Sequence, residues 1–235
     1  MAAGAPAALI CGIAEGFGLS LCRALAAAGY DVLGLARSER VAHEAETAAA
    51  AGGRRYRHLV CDLTRDDQVA RVLAPEATRI AVAVYNAHML LMAPFLETEP
   101  AAFERLWAVA CGGAASMARA LLPAMAARGS GTLIFSGATA SCRAGARTAA
   151  FGAAKFALRG LSQGLAREFG PRGVHVAHVV LDGLIDEPQT DRRFAERQTS
   201  RLDPDALADG YVALIRQPKS AWTHELDVRP FDERF

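Results

Sequence analysis

The stretch Ile80–Tyr85 reads Ile-Ala-Val-Ala-Val-Tyr and is almost wholly apolar, the Tyr85 hydroxyl being its one polar group. A strand without a polar face needs cover on both sides, and a parallel sheet sandwiched between helices supplies it. More mixed segments with strand character recur at intervals along the chain. Ala7–Cys11, Asp31–Ala36, Tyr56–Cys61, Thr132–Ser136, Val174–Val180 and Glu225–Val228 are further strand candidates. Between them lie segments with helical spacing: Gly18–Ala28, Arg40–Ala51, Phe103–Arg128, Thr148–Phe169 and Asp203–Arg216. The third of these is expected to bend near Gly112-Gly113. Strands alternating with helices imply right-handed β-α-β units. The expected fold is therefore α/β, a doubly wound parallel sheet of about seven strands in one domain spanning residues 1–235. No linker, repeat or charge block marks a second domain.

The first strand runs into Gly12-Ile-Ala-Glu-Gly16-Phe17-Gly18, and a helix follows at once. Gly12 suits a tight turn, Gly16 lets a backbone approach a pyrophosphate, and Gly18 lets the helix pack close to the sheet. The N-terminus of that helix would present free N–H groups to phosphate. Three glycines alone are weak evidence, but a strand before them and a helix after them form the context a dinucleotide requires. The second strand ends at Leu35-Ala36-Arg37-Ser38. A protein selecting NAD places a carboxylate there for the ribose 2′-hydroxyl. Arg37, with Ser38 beside it, would instead grip a 2′-phosphate, so NADP is expected ahead of NAD.

Other classes are disfavoured. Formal net charge is +1 and no basic run stands out, so no nucleic-acid partner is expected. Met1–Pro6 carries no Lys or Arg, and no apolar run reads as long enough to span a bilayer, so neither a signal peptide nor a membrane partner is expected. Cys11, Cys22, Cys61, Cys111 and Cys142 are scattered and form no Cys-x-x-Cys pair. They point to a reduced, cytoplasmic setting with neither disulfides nor zinc. No histidine spacing suggests a metal site.

These features together resemble the short-chain dehydrogenase/reductase family over almost the whole chain, with its Rossmann-type fold. Cys61-Asp62-Leu63 is similar to a family step in which the Asp62 side chain and Leu63 backbone would flank adenine. Tyr85-Asn86-Ala87-His88 is similar to Asn-Asn-Ala-Gly, with His88 in place of glycine. Leu181-Asp182-Gly183-Leu184-Ile185 resembles the Pro-Gly segment after the sixth strand, with Asp182 in place of proline. The resemblance implies that Gly183 and Ile185 contact the cofactor. It also implies that Lys155 holds the nicotinamide ribose. The family's two long helices, here Phe103–Arg128 and Thr148–Phe169, pair with their own copies, which implies a homodimer or homotetramer.

The departures fall on the chemistry. Lys155 stands where the family keeps its lysine, but the tyrosine four residues earlier is Phe151. The serine position is Ala138 and the helix asparagine is Ala110. A phenyl ring can neither give nor accept a proton. Lys155, His88 and Ser141 are the candidates for a substitute proton relay. Asp186–Leu202 reads as a polar substrate lid, with Asp186-Glu187 as solvated loop charges. The sequence therefore implies an oxidoreductase acting on a small carbonyl or alcohol through an altered relay. A silent dinucleotide-binding sensor or partner subunit, or a dehydratase or isomerase using the same pocket, stays open. The substrate itself is not legible.

Overall fold

The computed structural model describes residues 5–194, 196 and 200–233. Seven strands form one parallel sheet: β1 (Ala7–Cys11), β2 (Asp31–Ala36), β3 (Tyr56–Val60), β4 (Ile80–Tyr85), β5 (Gly131–Ser136), β6 (Val174–Leu181) and β7 (Glu225–Val228). Their order is β3-β2-β1-β4-β5-β6-β7. The chain starts at the centre, winds outward to β3, then returns to β4 on the other side of β1. The connections therefore diverge between β1 and β4, and that is where such sheets open a crevice at their carboxyl ends.

The pleat of β1 separates two cores. Ala7, Leu9 and Cys11 face one layer with Met117, Leu121 and Leu158, while Ala8 and Ile10 face the other with Leu21, Leu25 and Tyr211. Successive residues point to opposite faces, so a strand buried on both sides must be apolar throughout. All five β1 residues are buried.

The helices are α1 (Phe17–Ala27), α2 (Ala42–Ala51), α3 (Asp66–Leu73), α4 (Pro100–Trp107), α5 (Gly113–Arg128), α6 (Ala149–Phe169), α7 (Pro188–Phe194) and α8 (Pro204–Ile215). Two were not foreseen. α3 is short but carries Asp66 and Asp67 in its first turn and Arg71 in its last, charges that complement the helix dipole. α7 is polar and lies against the crevice. α8 begins at Asp203, whose carboxylate accepts from the Ala206 N–H at 2.8 Å, with Pro204 at the first helical position.

The expected bend in the long third helix is a π-turn, Ala108–Gly112, joining α4 to α5. The Tyr85 hydroxyl donates to the Val109 carbonyl at 2.5 Å, satisfying an acceptor at the distortion. Gly113 is required there, because a Cβ would lie 2.4 Å from the Tyr85 hydroxyl oxygen. The helical run Pro100–Arg128 is long and apolar enough to cross a membrane by length and composition, unlike the expectation above. The π-turn keeps the helical run continuous from Pro100 to Arg128. Half of its most apolar window is buried inside the protein, which accounts for the composition.

Candidate active site at the sheet switch point

At the carboxyl ends of β1, β2 and β4 lies a groove of about 700 Å³. Gly12, with φ 84, turns the chain out of β1 so closely that a Cβ would fall 2.5 Å from the Ala87 Cα. No side chain but glycine fits between these two loops. Gly16 also has positive φ, 73. Gly18 lies on the Ile13 backbone, 3.3 Å from where its Cβ would be, so α1 sits tight against its own loop.

The groove brings together Gly12, Arg37, Ser38, Asp62, Leu63, Asn86, Ala87 and His88 from four separate loops. The Asn86 N–H donates to the Cys11 carbonyl at 2.9 Å, locking the two central loops together. Asp62 accepts from the Thr64 N–H at 2.9 Å and its hydroxyl at 2.8 Å. Those bonds hold its carboxyl below the usual range, aided by Arg37 nearby. Four more arginines line the groove: Arg40, Arg105, Arg192 and Arg193. Against them stand Glu15 and Asp62, so the wall is cationic. Sequence reading missed Arg40, Arg105 and the two lid arginines, because their nearness arises from chain segments far apart.

Lys155, on α6 and not among the residues lining the groove, is 3% exposed, and its ammonium donates to the Ser136 carbonyl at 2.9 Å. Burial lowers its pKa to about 8. Its nitrogen lies 5.9 Å from the centre of the Phe151 ring, on the same face of α6 one turn away. Phe151 packs with Met89, Leu91 and Phe103 beside the small apolar cluster of Leu106, Ala110, Ala150 and Ala154. Ala110 and Phe151 thus sit in one apolar wall.

His88 stands at the water-exposed rim, its Nδ1 3.4 Å from the Asn86 carbonyl. The crowded groove and the charge of Lys155 lower its pKa, so it is neutral at pH 7. Ser141 is placed differently from the expectation. It is fully buried, and its hydroxyl accepts from the Ala138 N–H at 3.1 Å. It braces the turn after β5 and does not line the groove. Asp182, in the proline position, is buried too. It accepts from the Thr139 hydroxyl at 2.5 Å and pairs with Arg143 at 3.1 Å and Arg229 at 3.3 Å. Gly183 faces Pro230, and Ile185 bridges to Leu202 at the root of the lid.

The lid also departs from the reading of solvated charges. Asp186 is exposed, but Glu187 is half-buried and its carboxylate accepts from the Phe17 N–H at 3.3 Å. Gln189, Arg192 and Arg193 face the groove. Of the lid range 186–202 expected from sequence, residues 195 and 197–199 lie outside the described residues.

Comparison with known proteins agrees with this layout. The family model for short chain dehydrogenase matches residues 6–198. An uncharacterised oxidoreductase of Staphylococcus saprophyticus is 25% identical over 228 residues, covering 95% of this chain and 96% of the relative. A crystal structure of a short-chain dehydrogenase from Rhodopseudomonas palustris superposes with a TM-score of 0.83 at 31% identity, covering 96% of this chain and 98% of the other. A metagenomic short-chain oxidoreductase in complex with NADP gives 0.83 at 27% identity, covering 96% of both chains. On its sequence match and its fold alike, the chain belongs to the short-chain dehydrogenase/reductase family.

Proposed function

We propose that this protein is an NADP(H)-dependent oxidoreductase of a small carbonyl or alcohol, in which Lys155 itself supplies the proton. The observation that carries the reading is the pairing of an arginine-lined groove with a buried lysine. The glycine loop presents bare backbone at Gly16 to a pyrophosphate, and the start of α1 would meet it once the Phe17 N–H is released from Glu187. Arg37, Ser38 and Arg40 stand where a 2′-phosphate would lie, with no carboxylate at the end of β2. The relative crystallised with NADP fits the same preference. Asn86, Ala87, Asp62 and Leu63 would frame the adenosine half, and Gly183, Ile185 and Lys155 the nicotinamide half. Bound there, the cofactor would exchange a hydride with a carbonyl carbon.

The proton side of the reaction falls to this chain. Lys155, with a pKa near 8, is charged at pH 7 yet a far stronger acid than a free lysine. Such a group can give a proton to a developing alkoxide. In the reverse direction the neutral Lys155 amine takes the proton back from the alcohol, and His88 at the rim can hydrogen-bond the water that exchanges it. Phe151, Met89 and Leu91 favour an apolar group on the substrate. Ser141 acts indirectly, holding the turn that carries Ala138.

The test is NADPH oxidation with a panel of aldehydes and diketones. Turnover is expected, falling as pH rises through about 8 because the donor loses its proton. Lys155→Met should abolish it. Tight NADPH binding without turnover of any carbonyl would instead favour a silent binding protein. We also propose a cytoplasmic homodimer or homotetramer built on α4–α5 and α6. The half-exposed Trp107 and Phe156 on those helices support this, and a monomer by light scattering at micromolar concentration would refute it.

A further inference from the structure

α1 has no capping side chain in its own loop: its N-cap is Gly16. A helix start leaves its first N–H groups unpaired and carries a partial positive charge. Here the Phe17 N–H is taken by a carboxylate 170 residues away, Glu187, at 3.3 Å. The contact is also one of volume. A Cβ on Gly16 would lie 2.4 Å from the Glu187 Cβ and 2.6 Å from its Oε2. The side chain is therefore laid flat on the bare backbone of the glycine loop, over the surface that a pyrophosphate would approach. Burial there pushes the carboxyl above its ordinary pKa, against the lowering effect of the Phe17 N–H and of Arg192. Arg192 in turn reaches Glu15 of the loop at 3.8 Å. Because Pro188 begins α7 directly after Glu187, this contact seats the lid helix, and Gln189, Arg192 and Arg193 close over the groove.

We propose that Glu187 is a built-in competitor of the dinucleotide, holding the phosphate position at the start of α1 until the cofactor displaces it and the lid resets. The proposal rests on the dinucleotide-binding reading above. Two anionic groups cannot share one helix start, so cofactor affinity is set below what the groove alone would give. The lid is docked before the cofactor arrives, and binding must move it.

The test compares wild type with Glu187→Gln and Glu187→Ala, each checked for a native circular dichroism spectrum. Two probes are titrated: NADPH, and adenosine 2′-monophosphate, which carries the 2′-phosphate but no pyrophosphate. NADPH should bind about tenfold tighter to Glu187→Ala, with Glu187→Gln in between, from loss of a charge at a helix terminus. Adenosine 2′-monophosphate should bind all three proteins alike. Trypsin should cut the cofactor-free Glu187→Ala variant faster at Arg192 and Arg193, because the lid has lost its seat. Unchanged or weaker NADPH binding by Glu187→Ala would overturn the proposal. Equal tightening of both probes would also overturn it, since that is a diffuse charge effect and not competition for one position. Should neither probe bind wild type or variant, the dinucleotide reading itself falls, and the competitor with it.

Discussion

Replacing Lys155 with methionine should make the protein more stable and inactive. The side chain is 3% exposed and its pKa is lowered from 10.5 to about 8 by burial alone. At ~1.4 kcal/mol per unit, holding the charged form in the folded state costs about 3 kcal/mol at pH 7. Methionine is of similar length, has no charge and suits the neighbouring Phe151 ring. Its cost is the charge-assisted bond to the Ser136 carbonyl, about 2 kcal/mol. The net expectation is a gain of about 1 kcal/mol, or roughly 2–4 °C in Tm for a chain of this length. The pH dependence is the sharper signature. The folded pKa is depressed, so between about 8 and 10.5 the unfolded chain binds more protons than the folded one. Wild-type stability should therefore rise with pH across that window, while the variant shows no such rise. Urea denaturation at pH 7 and pH 9.5 measures this, and the balance between the two proteins should shift toward wild type by about 2 kcal/mol between them. A variant that is less stable at pH 7, or an advantage that does not change with pH, would refute the argument that a buried charge is being held at a cost for function.

Arg37→Asp should weaken NADPH by about 1–3 kcal/mol, the scale of a charged hydrogen bond, and leave NADH nearly unchanged; calorimetry with both cofactors checks it. Phe151→Tyr with Ala138→Ser should raise NADPH-dependent diketone reduction, up to ~10²-fold, because the new phenol would meet the Lys155 cation one turn away. Loss of turnover would instead assign Phe151 to a dedicated substrate wall. Gly113→Ala should destabilise the fold by about 1–3 kcal/mol in denaturant titration, since a Cβ would fall 2.4 Å from the Tyr85 hydroxyl and 2.8 Å from the Leu63 carbonyl.

The central strands were legible in the sequence because they are buried on both faces and must be apolar, whereas the edge strands β3 and β7 are only partly buried and carry Arg57, His58, Glu225 and Asp227. β1 and β4 carry that requirement in their composition alone. The glycine loop was legible for a similar reason: Gly12 and Gly16 have positive φ, and glycine meets that demand without steric cost. The absence of Ser, Tyr and Asn at positions 138, 151 and 110 is likewise a fact of sequence. What the sequence left undetermined depends on distance through space. Ser141 and His88 look equivalent as polar residues past strand ends, yet one hydroxyl turns inward to brace Ala138 while the other side chain lines the groove. Lys155 gains its lowered pKa from the layers packed around it, which no local pattern encodes. Glu187 reads as a solvated lid charge among many, and becomes the partner of Phe17 only when the sheet brings residues 170 apart in the chain within 3.3 Å. Local propensity and burial patterns act on each segment separately, whereas the electrostatics of this groove are set by which segments the doubly wound topology brings face to face.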